Sequence, residues 1–215
     1  MRLHSLEDQA GITPELALSF LKEGNKRFVE NLKAHSNLLE QVNNTKENQF
    51  PFAIILSCID SRTSAELIFD QGLGDIFSTR IAGNVLNDDI IGSMEFACKL
   101  AGSKLIVVLG HSHCGAITGA CQGTKLGHLT HLLSKVDASV RQVKRAHEAI
   151  DITSKEAVDK VAFQNVLYTL DDVLQRSEVL QTMFDQGEIG LVGAYYKVET
   201  GEVEFVKELF SNTNK

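Results

Sequence analysis

Two short apolar runs, Phe52 to Leu56 and Leu105 to Leu109, set the strongest limit on what this chain can become. Runs of that length, rich in Ile, Val and Leu and unbroken by polar residues, read as strands buried on both faces of a parallel sheet. Each leads straight into a chemically loaded stretch. Ser57-Cys58-Ile59-Asp60-Ser61-Arg62 follows the first, and Gly110-His111-Ser112-His113-Cys114-Gly115 follows the second. Ligands of open α/β sheets gather beyond the carboxyl ends of the strands, so two neighbouring strand ends would bring Cys58, His111 and Cys114 to one point. Two thiolates and one imidazole make a soft, tetrahedral zinc set with three protein ligands and an open fourth position, which favours chemistry over structure. The rival readings are a satisfied core histidine and a redox thiol, the latter weakened by the lack of a Cys-x-x-Cys pair.

Asp60 and Arg62 add to this picture. Two residues apart beyond a strand end, they can both turn toward the same mouth, where a guanidinium would fix the direction of the carboxylate. The plainer alternatives are a surface salt bridge worth ~0–1 kcal/mol and a helix N-cap, for which Ser61 and Thr63 compete with Asp60.

The remaining chain alternates helical and extended patterns, which argues for an α/β fold with a mostly parallel central sheet flanked by helices. Thr13-Pro14-Glu15 reads as a helix start, and Leu16, Phe20, Leu21, Phe28 and Leu32 form an apolar stripe along the helix that follows. This N-terminal helical arm, residues 1–48, reaches an α/β core of residues 49–215 through the polar stretch Ser36 to Gln49, the whole forming one domain. Further helices are expected over Ser64 to Gln71 (closed by Gly72 and Gly74), Asp88 to Ala101 and Gly115 to Cys121. Two long ones follow, Gly127 to about Ala149 and Ser154 to Arg176, then a short one over Glu178 to Gln186. A second strand spans Ile76 to Ile81. Ile189 to Val198 and Glu202 to Val206, separated by Glu199-Thr200-Gly201, form a last strand and its hairpin partner. A helix opening at Gly115 puts backbone amides beside the Cys114 sulfur, which should lower that thiol below its free pKa of ~8.5.

Composition removes several function classes. With 28 acids against 21 bases the formal charge is −7, and no basic stripe interrupts it, so nucleic acid and anionic membrane surfaces are poor partners. No apolar run approaches the ~20 residues of a membrane span, and Met1 to Asp8 lacks a signal-peptide core; a cytoplasmic protein is expected. In that reducing compartment Cys58, Cys98, Cys114 and Cys121 are ligands, reactive thiols or core residues rather than disulfides. Cys98, in an apolar helical stretch, reads as a small core residue, and so does Cys121. His113 reads as a rim or interface histidine with a proton relay as the alternative. His128 and His131 read as solvated or packing residues, and His4, His35 and His147 suggest nothing.

Taken together, Cys58-x-Asp60-Ser61-Arg62, Arg80-x-Ala82-Gly83-Asn84 and Gly110-His111-Ser112-x-Cys114-Gly115 resemble the β class of carbonic anhydrases. Leu21 to Phe28 resembles that family's N-terminal helix, and Ile189 to Phe205 its last strand and hairpin. The resemblance implies reversible hydration of carbon dioxide to bicarbonate and a proton by zinc-bound hydroxide. It makes Cys58, His111 and Cys114 the ligands of one zinc per subunit, and Asp60 and Arg62 the catalytic dyad. Gln49 matches a glutamine that hydrogen-bonds bicarbonate, Phe77 an apolar wall of the carbon dioxide pocket, and Gly115 a backbone amide beside it. Phe96 stands in the same substrate-binding group where many members carry tyrosine. One branch of the family closes its zinc with the aspartate and binds inhibitory bicarbonate through a tryptophan, an arginine and a tyrosine. Arg80 and Tyr196 fit the last two, but Ile55 stands in the tryptophan's place and Gln49 belongs to the other branch, so the open form is expected. A homodimer or homotetramer is also implied, with residues of one subunit shaping the pocket of the next. Two other functions fit the same residues: hydrolysis of carbonyl sulfide or carbon disulfide, and a non-catalytic zinc module, which would have no use for Asp60, Arg62 or Gln49.

Overall fold

Unbroken apolar strands dictate the layering of the computed structural model, which describes residues 6–32 and 37–211; His4 and His35 lie outside them. Strands β1 (Ala53–Ser57), β2 (Ile76–Arg80), β3 (Leu105–His111), β4 (Gly190–Tyr196) and β5 (Val203–Leu209) form one sheet in the order β2-β1-β3-β4-β5. The first four run parallel and β5 is antiparallel to β4. Every residue of β1, β3 and β4 is buried, as expected when helices cover both faces.

One face carries Ile55, Leu105, Val107 and Val192, covered by helix α2 (Pro14–Val29) and the single turn α4 (Ala65–Ile68). The opposite face carries Ile54, Leu56, Ile106 and Val108, covered by α5 (Asp88–Glu95), α9 (Lys155–Arg176) and α10 (Glu178–Asp185). A third cluster lies beyond the carboxyl ends of the strands, where α6 (Gly115–Cys121), α8 (Asp137–Ala146) and the start of α9 surround Cys58 and Cys114. Three shorter helices complete the chain: α1 (Leu6–Ala10), α3 (Leu38–Thr45) and α7 (Gly127–Ser134). Cys98 and Cys121 are buried packing residues, and burial pushes the Cys98 thiol up to about 12.

Helix α2 begins as read: Thr13 caps it, accepting from the Leu16 amide, with proline at the first helical position. Its buried face differs from the expected stripe. Leu16 and Leu32 are exposed, whereas Ala17, Leu18, Leu21, Gly24 and Asn25 face inward. Small residues win that face because the helix lies hard against the chain end of α4. A Cβ at Gly24 would stand 1.8 Å from the Phe69 carbonyl oxygen. Next to it the buried Asn25 amide donates to the carbonyls of Ile68 (3.1 Å) and Gly201 (2.9 Å) and accepts from the Val203 amide (2.9 Å). The arm therefore packs on the sheet of its own chain.

Three other boundaries depart from the sequence reading. The stretch from 36 to 49 holds α3, capped by Asn37, rather than only a polar connection. Helix α4 stops early because Asp70, not a glycine, takes the left-handed conformation (φ +47°), and the Gln71 amide reaches back to the Glu66 carbonyl. Aspartate tolerates that conformation better than most residues, and Arg27 binds its carboxylate at 2.6 Å. The expected long helix from Gly127 breaks after Ser134. Tighter bonds from Lys135 to Leu132 and from Val136 to Leu133 bend the chain there, burying Val136 in the third cluster with Leu132 packed against it. The Asp88 helix also ends in a wide turn, Phe96–Leu100.

The Gly24 contact gives a direct test. Gly24→Ala must push backbone off backbone, an overpacking cost of about 1–3 kcal/mol, and should lower the urea midpoint of the protein accordingly, whereas Gly92→Ala, facing open space, should not.

Candidate metal centre

The register of β1 against β3 places the site. Ser57 pairs with Leu109, so Cys58, the first residue past β1, comes level with the end of β3 and its last residue, His111. Cys114 then caps α6. The ligand atoms of Cys58, His111 and Cys114 all lie within 4.8 Å of one another, and all three residues are buried. The two sulfurs are 3.9 Å apart. A tetrahedral zinc bound to each at ~2.3 Å would hold them about 3.8 Å apart.

His111 supplies the sharpest indication. Its Nδ1 lies 2.8 Å from the Ser112 carbonyl oxygen, which requires the proton on Nδ1 and leaves Nε2 with a free lone pair. That Nε2 is buried and has no hydrogen-bond partner. A buried acceptor left unpaired costs roughly 1–3 kcal/mol, and a metal ion is the natural occupant of a position lined by two sulfurs and one such nitrogen.

The sulfurs differ in character. Sharing a proton with Cys114 pulls the Cys58 thiol well below its ordinary range, helped by His111 and by the Gly83 amide, which donates to Cys58 Sγ at 3.3 Å. Cys114 moves the other way, raised first by that shared proton and then by burial. The amides of Ala116 and Ile117, at the start of α6, do favour its thiolate. Two sulfurs so close cannot both ionise without a cation, so the pair as a whole carries a single negative charge until one is bound.

Beside the sulfurs, Arg62 clasps Asp60 with a two-pronged contact, Nε to Oδ1 at 2.9 Å and Nη2 to Oδ2 at 2.8 Å, and the Arg62 amide adds a third bond at 3.0 Å. The Arg62 side chain holds the Asp60 carboxyl well below the usual carboxylate range. Asp60 is thus turned to Arg62 and is not one of the three clustered ligands. Its loop is pinned from behind. Arg80 Nε donates to the Cys58 carbonyl (2.9 Å), Arg80 Nη2 to the Asp60 carbonyl (2.5 Å), and the Thr63 hydroxyl to the Cys58 carbonyl (3.0 Å). The motif around Arg80 is thereby explained: Arg80 holds one ligand's backbone, and Gly83 (φ +72°) turns its amide to that ligand's sulfur.

Gly115 follows the last ligand, and the space where its side chain would be is open. Gln49, Phe77 and Phe96 are elsewhere. Gln49 sits before β1, beside Gly74, at the end of the strand opposite Cys58. Five strand residues at ~3.3 Å each separate those ends. Phe77 pairs in register with Ile54, near the same far end, and packs edge-on against the exposed Phe96 at 6.2 Å between ring centres. Together they line a groove beside the edge strand β2. Sequence reasoning passed over Glu199, Asn165 and Asp159, which reach the site from the opposite half of the chain. Asn165 donates to the Gly83 carbonyl at 2.9 Å, and Asp159 accepts from the His113 amide at 3.4 Å and from the Tyr195 hydroxyl at 3.3 Å. His113 is at the rim, paired through Nε2 with Glu199. His128, His131 and His147 are exposed.

The geometry has close counterparts. The family model for carbonic anhydrase matches residues 53–203. The chain is 36% identical over 194 residues to carbonic anhydrase 2 of Mycobacterium tuberculosis, covering 87% of this chain and 90% of that one. The chain belongs to the β-carbonic anhydrases. A solved β-carbonic anhydrase, CcaA, superimposes with a TM-score of 0.70 at 28% identity over 88% of this chain and 98% of its own. A chain from the crystal structures of two tetrameric β-carbonic anhydrases of Sordaria macrospora shares the fold, with a TM-score of 0.72 at 23% identity over 89% of this chain and 95% of its own. Among the described residues no helix is long and apolar enough to cross a membrane.

Metal content tests this centre. His111→Ala and Cys58→Ser should hold far less metal than the parent by elemental analysis, with a lower unfolding midpoint, because metal binding energy is partly folding energy.

Proposed function

We propose that this carbonic anhydrase interconverts carbon dioxide and bicarbonate with one zinc ion held by Cys58, His111 and Cys114 in each subunit. The observation that carries the reading is the Asp60 carboxylate, clasped at both oxygens by Arg62 beside a buried two-sulfur, one-nitrogen ligand set. Zinc bound there supplies a Lewis acid that makes water nucleophilic at neutral pH.

The chain's own residues do the rest. Asp60 remains ionised because Arg62 stabilises its charge, so its carboxylate is available to accept a proton in a hydrogen bond and aim the nucleophile. Its turn toward Arg62, away from the ligand cluster, supports the open form of the site. Arg80 and Thr63 keep the Asp60 loop fixed, so that aim is set before substrate arrives. The Gly115 amide, beside Cys114 and unobstructed, donates to the oxygen on which charge develops. Cys58, Cys114 and the apolar Val85 and Ile117 around them limit water in the pocket.

Gln49, Phe77 and Phe96 join this site as the contribution of a second copy in a homodimer, or in a tetramer built from such dimers. Their place at the far end of β1 and β2 in their own chain, with Phe96 exposed on an edge of the sheet, supports a partner's pocket as their destination. The four cysteines, all unpaired, suit a reducing cytoplasm.

Stopped-flow hydration of carbon dioxide, with zinc measured on the same sample, tests the reading. Asp60→Asn should keep its zinc and lose about 100-fold or more in kcat. Hydration at the parental rate by that variant, or hydrolysis of carbonyl sulfide in place of hydration by the parent, would refute it.

A further inference from the structure

Glu199 lies on the turn between β4 and β5, far along the chain from every ligand, and half of its side chain is exposed. Its two oxygens nevertheless grip the loop between His111 and Cys114. Oε2 accepts from the Ser112 hydroxyl at 2.8 Å, and Oε1 pairs with His113 Nε2. Ser112 is buried, and its hydroxyl oxygen also accepts from the Val198 amide at 3.0 Å, while its own amide bonds to the Tyr196 carbonyl at 3.0 Å. The carbonyl of the same Ser112 is the group that holds His111 Nδ1.

The loop needs such a clamp. His113 has a left-handed backbone (φ +56°), a conformation that persists in a non-glycine residue when its surroundings over-determine it. Here three groups do so: Asp159 takes its amide, Arg62 reaches its carbonyl at 3.5 Å, and Glu199 takes its ring. Of these, Glu199 alone also fixes Ser112.

We propose that Glu199 is a positioning residue for the metal centre, orienting the His111 imidazole through Ser112 and so slowing the escape of zinc. The inference rests on the reading of Cys58, His111 and Cys114 as zinc ligands. Removing a ligand's own partner typically changes metal affinity 10–100-fold, and Glu199 fixes the residue that supplies that partner, the Ser112 carbonyl. Glu199 is exposed enough to be replaced without emptying the core. Leucine at this position fills similar volume and accepts no hydrogen bond. Glutamine can still accept from Ser112 and donate to a neutral His113 ring.

The test follows zinc release from the holoenzyme to a chromogenic chelator, and the visible spectrum of the cobalt(II)-loaded protein. Glu199→Leu should release zinc about 10-fold or more faster and shift the cobalt bands, while Glu199→Gln should stay within about threefold of the parent in rate and overlay its spectrum. Ser112→Ala should release zinc faster as well, and the double variant should fall short of the two effects combined, since both variants remove the bond between Ser112 and Glu199. Unchanged release in Glu199→Leu, additive effects in the double variant, or equal acceleration in Thr200→Ala on the same turn would overturn the role of Glu199. A parent that never holds stoichiometric zinc would overturn the metal centre as well, which separates the two failures.

Discussion

Everything at the site depends on the parallel register of β1 and β3. Because the side-chain period of a strand is two, a slip of one residue would exchange the two faces, and the close packing around Ile55 and Val107 on one face and Ile54 and Ile106 on the other opposes it. The hydrophobic core therefore fixes the level at which Cys58 and His111 emerge. The three-ligand cluster is the visible end of that constraint. Packing within the sheet does the aligning, and the loops after the strands need only short turns to bring two sulfurs and a nitrogen together.

Once aligned, the ligands create an electrostatic demand that the fold meets only in part. Two sulfurs 3.9 Å apart cannot both carry charge unaided, and His111 Nε2 is left without a donor. Arg62 is committed to Asp60 and Arg80 to backbone carbonyls, so neither neutralises the sulfurs. A divalent cation satisfies both deficits at once. The same division of labour leaves the Asp60 carboxylate ionised and directed while the sulfur pair awaits its charge partner.

Much of this was legible in the sequence, for an identifiable reason. Strands buried on both faces announce themselves as unbroken apolar runs, and chemistry placed at their ends is marked by residue type: Cys58, His111, Cys114, Asp60 and Arg62 stand out before any coordinates exist. What escaped was decided by contacts distant in sequence. The buried face of α2 follows from Gly24 and Asn25 meeting Phe69 and Gly201, not from the largest side chains on the helix. Asp70 replaces a glycine at the end of α4 because Arg27 waits for it. The helix from Gly127 breaks where Val136 finds a core to enter. Gln49, Phe77 and Phe96 were readable as a family signature, yet no local pattern says that one chain keeps them at the wrong end of the sheet for its own metal centre. Glu199 looked like an ordinary hairpin residue, since a turn carboxylate gives no hint of what lies across from it.

Asn25 has a consequence for the order in which the molecule can be completed. Its side chain waits on Gly201 and Val203, 176 and 178 residues further along, at the far side of the turn that carries Glu199. During synthesis Cys58, His111 and Cys114 leave the ribosome well before that turn does. The arm stays unfastened until that hairpin arrives, so the N-terminal helix and the loop after β3 are both secured by one segment made late.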